Sequence, residues 1–501
     1  MNSISDTLKR KLPQLIEKGG KNMKQVKIFS ICFLFLSLVL GVMAPALRAA
    51  EEVKITAQEW EKNKRLMDDP RPVLTTTLAY KKVLPPDLYA KLTYDVEEMK
   101  KLWAEVVGFS APNEVGKIAP EIKPGTYSYK DKEKYPGLKE LMIPMHYEFF
   151  KAGGPPLAGS YAEIKVVRTR QYYFALPIAK ATKEGIGRVQ LDDNGIIKEE
   201  TWVGGLPFPR PEGKFKANQV IYNWIKTPLP WESMYATSVN KGFTRTLRVD
   251  QEMVANIMQI ILKGRVHMEP YGWFDERAKT NGEYLQMNFF YNAPRDMYGN
   301  VIGMTSYLDP DKYDQMMLYI NALRRVRLLS ATDIQDAIGG ADYAYVDNNG
   351  LGQKLSTTIF PYKNEIIAER EYLVPFSTWD GSEYMNEKGE IYNLEWERRP
   401  MYVVKMTQLD KNFVYSYRIV YIDKETGLLT HVENYDQKGR LYRSTVGQRP
   451  FIPEFGKFGF GCGLARDHLD LHTSWTNGYS VPAPWLTRAN VSLRGLVVKG
   501  K

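Results

Sequence analysis

A chain of 501 residues with 44% apolar and 25% charged positions can bury a large core, which excludes disorder as its main theme. Half of the formal charge of +10 lies in residues 1–46, where seven basic side chains stand against two acidic ones, so the remainder carries too little excess charge to argue for nucleic-acid binding. Only two cysteines occur, Cys32 in the leader and Cys462 near the end, which excludes a disulfide framework in the mature chain.

Met23-Lys24-Gln25-Val26-Lys27 precedes the apolar run Ile28–Met43 and then Ala44-Pro45-Ala46. A positive segment, an apolar run and an Ala-x-Ala site read as a secretory signal peptide, Met23–Ala46, so the protein is expected in the periplasm. Cleavage after Ala49 or Ala50 and retention as an uncleaved anchor are the alternatives. Residues 1–22 carry no information about the fold, and Cys32 sits too early in the apolar run to be a lipid-bearing cysteine.

Residues 51–112 read as a helical N-terminal segment. Ile55–Met67 is rich in Lys, Glu and Gln, and Asp87–Val107 spaces Leu88, Leu92, Val96, Met99, Leu102 and Val106 along one helical face. That stripe is expected to pack on the parent domain.

Residues 113–501 read as one antiparallel β domain, with runs rich in Val, Ile, Thr, Tyr and Phe. Tight turns are expected at Asn194-Gly195, Asn281-Gly282, Asn349-Gly350 and Asn477-Gly478, because both residue types tolerate positive φ. Ile164–Phe174 is expected as a half-buried strand, although Arg168 and Arg170 fall on its apolar side. Gly205–Pro211 reads as a fixed proline-rich loop. Asp250–Gly264 is expected as the one helix among strands, with Met253, Val254, Ile257, Met258 and Ile261 on one face; it either packs across the concave side of the sheet or is an ordinary core helix. Val414–Tyr421, Leu428–Tyr435 and Arg440–Thr445, separated by the turns Asp423–Gly427 and Asp436–Gly439, form a meander in which Ser416 and Arg418 point away from Tyr415, Tyr417, Ile419 and Tyr421.

Gly205-Leu206-Pro207-Phe208-Pro209, Ala217-Asn218 and Asn223-Trp224 resemble a segment of a large uncharacterised family of exported proteins with a LolA-like fold. Leu323–Arg327, Tyr343–Asp347, Arg399–Val404 and Tyr421–Gly439 resemble its later blocks in order. Residues 51–150 depart from the family's Gly-rich opening, which marks a divergent member. The resemblance implies a mainly β half-barrel, a large curved antiparallel sheet, and a setting beside RND-type exporters and outer-membrane proteins. It carries over no catalytic residues and no cofactor.

A carrier of acyl chains needs an apolar cavity, since each buried methylene is worth about 0.8 kcal/mol. Tyr172, Phe174, Trp202, Phe289, Tyr291, Met304 and Tyr417 are the candidate lining, each with an ordinary core position as its alternative. Two rival readings remain. Asp467-His468-Leu469-Asp470-Leu471-His472 would put both imidazoles on one face if helical, as metal ligands of an enzyme require, but it lacks the Glu of a zincin helix. An outer-membrane structural role is disfavoured by charges in many expected strands. Arg324, Arg325 and Arg327 form a basic cluster that alternation splits between two faces, and Asp192-Asp193-Asn194 and Asp347-Asn348-Asn349 are fragments of calcium loops that read as turns. No nucleophile elbow, Walker loop or dinucleotide fingerprint is present. A non-catalytic binding or shuttle protein for a lipid or other hydrophobic molecule is the leading expectation.

Overall fold

The structure, a computed structural model, describes residues 80–82, 84–152, 161–227, 230–246, 248–329, 335, 344–347, 353–377, 394–460 and 462–492. The leader Met23–Ala46, the expected helix Ile55–Met67 and the expected turn Asn349-Gly350 lie outside these residues. Every element below belongs to one compact unit, Lys54–Lys501.

The expected helix over Asp87–Val107 is two helices, α1 (Pro86–Leu92) and α2 (Val96–Val107). Asp95 divides them: its carboxylate accepts the Glu98 backbone N–H at 2.8 Å, capping α2, and Gly108 ends α2 at φ 91°. The apolar stripe holds, with Leu92, Met99 and Val106 buried.

β structure does not begin at residue 113. Up to residue 226 the described residues are largely helix and loop, with α3 (Pro144–Phe149), α4 (Leu176–Gly185) and α5 (Lys216–Lys226) and, among them, two short strands, β1 (Gly125–Ser128) and β2 (Glu163–Val166). The expected strand Ile164–Phe174 stops after Val166, because its polar groups find partners off the ladder: Arg170 pairs with Glu395 and Glu397, and the Tyr172 N–H donates to Glu425.

The main sheet follows: β3 (Ser233–Phe243), β4 (Val249–Ile261), β5 (Glu283–Ala293), β6 (Val301–Tyr307), β7 (Gln315–Ile320), β8 (Arg325–Leu329), β9 (Tyr362–Pro375), β10 (Glu395–Gln408), β11 (Tyr417–Asp423), β12 (Leu429–Tyr435), β13 (Leu441–Gln448), β14 (Cys462–Asp467) and β15 (Thr473–Pro482). With β1 and β2 these make 15 strands among the described residues, in the order β1-β2-β10-β11-β12-β13-β14-β15-β3-β4-β5-β6-β7-β8, with β9 paired to β10. Pairing is antiparallel except for β2 beside the start of β10. The sheet does not close on itself.

The expected helix Asp250–Gly264 is strand β4, hydrogen-bonded to β3 and β5 on its two sides. Met253, Ala255 and Ile257 alternate as buried positions, and residues 257–260 are then buried on both faces, so the continuous apolar run imitates a helical period. The β-branched Val254, Ile257, Ile260 and Ile261 favour the extended chain. Gly264 serves not as a helix cap but to let the Trp202 ring approach: a Cβ there would meet Trp202 Cη2 at 2.3 Å. The helix that lies on the sheet is α5, whose Val220, Ile221 and Trp224 pack on Val404, Met406, Val420 and Ile422; this defines the inner face. Asn477-Gly478 lies within β15 rather than in a turn, whereas Gly195 and Gly282 take the expected positive φ of 79° and 62°.

The meander forms as β11, β12 and β13. Its alternation is as read, but the face of Arg418 is not solvated: Arg418 is 1% exposed and donates to Val346 and Gln353. On the outer face, α2, α4 and the segment Tyr172–Leu176 cover Met401, Val403 and Tyr421, and residues 138–150 and 161–166 pack between Leu464 and Trp475 of that face and Trp396 at the start of β10.

One buried cation joins these layers. Arg399, fully buried in β10, donates to Asp423 at 2.8 and 3.2 Å, to Glu425 at 2.8 Å and to the Arg170 carbonyl at 2.7 Å, while its plane lies over Phe376 and Tyr172. Glu425 in turn accepts the N–H groups of Ala111 and Tyr172, and its carbonyl accepts the Trp103 indole at 2.9 Å. Also on the outer face, His146 lies 4.7 Å from the His431 ring and beside Trp396 and Tyr161, with neither ring nitrogen hydrogen-bonded. Burial, reinforced by His431, holds its pKa well below the usual imidazole value.

Arg399→Met leaves the Asp423 and Glu425 carboxylates buried without their cation, so urea denaturation is expected to show a loss of about 3–5 kcal/mol. His146→Phe should keep the fold. A histidine whose folded pKa is depressed costs stability as pH falls below its unfolded value near 6.5, since only the unfolded chain takes up the proton. Carboxylates raised by burial, Glu425 up to about 7 among them, act in the opposite sense. The readout is therefore the urea midpoint of the variant minus that of the parent, expected to be larger at pH 5 than at pH 7.5.

Candidate functional site

A cavity of about 260 Å³ opens between the inner face of the sheet and α5. Met234 of β3, Ile257 and Ile261 of β4, and Leu285, Met287 and Phe289 of β5 form its apolar wall; Tyr222, Trp224 and Ile225 of α5 face them, and Phe460 and Ala465 close a further side. The wall exists because β3–β5 carry apolar residues on both faces and the sheet places three such strands side by side.

The proline-rich loop sets the position of α5. The Phe208 N–H donates to Asn223 Oδ1 at 2.9 Å and Asn223 Nδ2 returns a bond to the Phe208 carbonyl at 2.6 Å, so one side chain pins the loop to the helix. The Leu206 N–H donates to Thr182 Oγ1 of α4 at 3.1 Å. Gly205 is required here, with φ 69° and a Cβ that would sit 2.3 Å from Thr182 Oγ1. These contacts hold α5 so that its last residue, Lys226, reaches the cavity.

That end is charged. Lys226 Nζ donates to Glu199 Oε1 at 2.8 Å and lies 4.1 and 4.5 Å from the Tyr284 and Trp202 ring centres. Lys263 approaches Glu199 Oε2 at 3.6 Å from behind, and Lys354 pairs with Asp314 at 2.8 Å. Burial pulls both Lys226 and Lys263 below the usual ammonium pKa, and Glu199 opposes the shift. Deeper along the wall, burial pushes the Asp347 pKa up against the Arg418 and Arg443 charges; its oxygens accept from Ala344, Tyr415 and Asn434. A carboxylate so occupied is not part of a calcium loop, and Asp192 likewise bonds the Asn194 and Ile196 N–H groups of its own turn.

The seven residues singled out from sequence are not brought together. Phe289 lines the cavity, and Trp202 backs its charged end while its indole donates to the Gly205 carbonyl. Tyr172 and Phe174 lie on the outer face among Trp103, Phe451 and Phe458. Met304 is buried against Tyr345, Tyr291 packs with Met253 and Ala255, and Tyr417 stacks on Tyr435 at 4.4 Å. Sequence reasoning missed Lys226, Glu199, Lys354 and Tyr284. A lysine ending a helix reads as an ordinary complement to the helix dipole, and nothing in the pattern marks it as buried.

His468–His472 is a turn joining β14 to β15, not a helix. His468 Nε2 meets Ser444 Oγ at 2.7 Å, whereas His472 Nε2 meets Asp250 Oδ2 at 2.9 Å, so the shared face that metal binding required does not form. Among the described residues no group of three or more His, Cys, Asp or Glu side chains is arranged to hold a metal ion. Arg325 and Arg327 are exposed on β8, and Arg324 precedes it at φ 49°; none lines the cavity. No helix of the described residues is long and apolar enough to cross a membrane.

Residues 131–470 match the family described as "Protein of unknown function (DUF1329)". No curated protein matches the chain. Among solved structures it is similar to a DUF1329 family protein from Desulfovibrio piger, at 14% identity and TM-score 0.40 over 55% of this chain and 96% of that one. It is also similar to an outer membrane lipoprotein-sorting protein domain from Vibrio parahaemolyticus, at 15% identity and TM-score 0.37 over 52% and 91% of the two chains. A LolA superfamily protein from Nitrosomonas europaea matches at 12% identity and TM-score 0.33 over 53% and 93%. The family match spans more than half of the chain, and the chain therefore belongs to the DUF1329 family.

Proposed function

We propose that this protein binds a lipid or another hydrophobic small molecule in the cavity beneath α5 and carries it through the periplasm, without catalysing a reaction on it. The observation that carries the reading is the cavity itself: about 260 Å³ walled by Met234, Ile257, Leu285, Met287 and Phe289 and capped by Tyr222 and Trp224. Apolar walls around a few polar groups at one end are the usual make-up of a small-molecule site. Methionine suits such a wall because its unbranched thioether adapts to ligands of differing shape. A carrier gains from this because each methylene withdrawn from water contributes about 0.8 kcal/mol to retention.

The leader Met23–Ala46 supports a periplasmic setting, where a hydrophobic cargo crossing between membranes needs shelter from water. Association with an RND-type exporter and an outer-membrane protein, implied by the family resemblance, is part of the same proposal. The rival metal-dependent enzyme loses its premise with the helix over residues 467–472.

Native mass spectrometry of the protein purified from its own periplasm is expected to find one apolar ligand per chain. Ile261→Trp, which fills the cavity from a half-buried position, should lower uptake of the dye N-phenyl-1-naphthylamine at least about tenfold while thermal unfolding stays cooperative. A protein that carries no ligand and takes up no dye overturns the reading.

A further inference from the structure

The charged end of the cavity holds more cation than it neutralises. Lys226 and Lys263 share one carboxylate, Glu199, at 2.8 and 3.6 Å. Glu200 also acts on Lys263, but from the exposed surface, where water screens it. Lys354 is already satisfied: it pairs with Asp314 and donates to the carbonyls of Lys312 and Asp309 at 2.6 and 3.4 Å.

Lys226 is not satisfied in the same way. An ammonium has three N–H donors; among the described residues Glu199 accepts one, and the faces of Tyr284 and Trp202 supply attraction without an acceptor atom. Lys263 differs again, because it also donates to the Glu199 backbone carbonyl. Lys226 and Glu199 both line the cavity. Burying a second cation beside a single carboxylate costs free energy unless another anion joins it.

We infer that this end is a head-group site for a single negative charge, so that the ligand is an amphiphile whose carboxylate or phosphate meets Lys226 while its apolar body runs along the wall formed by β3–β5. The inference rests on the binding reading above and goes further in naming the ligand's charge. Glu199 sets the limit on that charge: it competes for Lys226, so one anionic group is accommodated and a cationic head is drawn only to Glu199 between two lysines, an unfavourable place.

The test uses the mature full-length chain and displacement of N-phenyl-1-naphthylamine by laurate, dodecyl phosphate, dodecanol and dodecyltrimethylammonium, which share one chain and differ in the head. Laurate or dodecyl phosphate is expected to bind about tenfold more tightly than dodecanol, with the cation weakest, and the better of the two anions identifies the head. Lys226→Gln should collapse the anion-over-alcohol preference towards unity. Glu199→Gln, which removes the competing carboxylate, should enlarge that preference, and it decides the matter if Lys226→Gln does not fold. Equal binding of anion and alcohol, a preference for the cation, or a Glu199→Gln preference that stays level or falls overturns the head-group site while leaving an apolar carrier standing. Failure of all four compounds to displace the dye overturns the apolar carrier as well.

Discussion

The fully buried guanidinium of Arg399 is the joint on which both layers of the molecule depend. A cation inside protein is tolerable only when its donors are taken up by good acceptors, and here these come from two places: the β11–β12 turn through Asp423 and Glu425, and the coil before α4 through the Arg170 carbonyl. Glu425 extends the connection to the start of the helical layer through Ala111 and Trp103. These groups satisfy one another, so residues 96–150 and 161–176 meet the sheet through the same buried network that holds the turn. The aromatic rings of Tyr172 and Phe376 then exclude water from it.

That joint frees the other face. With the outer side of β10–β14 occupied by the helical layer, the inner side is covered at one end by α5 and left open along β3–β5. The two faces divide their chemistry: the outer one is a packed core with an internal polar network, whereas the inner one has an apolar hollow with charged groups at its lysine end and at Asp347 deeper along the wall. Asn223 mediates between them, fixing α5 to the proline-rich loop while Leu206 of that loop bonds back to α4.

Which parts of this were legible in the sequence follows from how many faces of each element meet solvent. The β11–β13 meander was readable because Asp423–Gly427 and Asp436–Gly439 punctuate clean alternation. Strand β4 was not, because burial on both faces erases the period of two and leaves an apolar run that a helix would also show. The span 113–226 was misread for a related reason: its β-branched and aromatic residues serve loops and short helices whose partners, such as Glu371 for the Gly116 and Ile118 N–H groups, lie more than 250 positions away. The apolar cavity was an expectation of the carrier reading and not of any residue spacing; of the candidate lining, Phe289 faces the hollow and Trp202 backs its charged end. Lys226 and Glu199 were not foreseen, since only the three-dimensional meeting of α5, the turn at Glu199 and β5 makes them neighbours.

An unclosed sheet has margins, and among the described residues β8 is one of them in the strand order. Such a margin offers main-chain groups to any passing strand, and an apolar strip there would template stacking of one molecule upon the next. Val326 and Leu328 supply such a strip, half or more exposed. Arg325 and Arg327 stand beside them in the same strand, so a second copy laid antiparallel along it would bring guanidinium groups against guanidinium groups. Like charges so placed oppose pairing of two copies along that border.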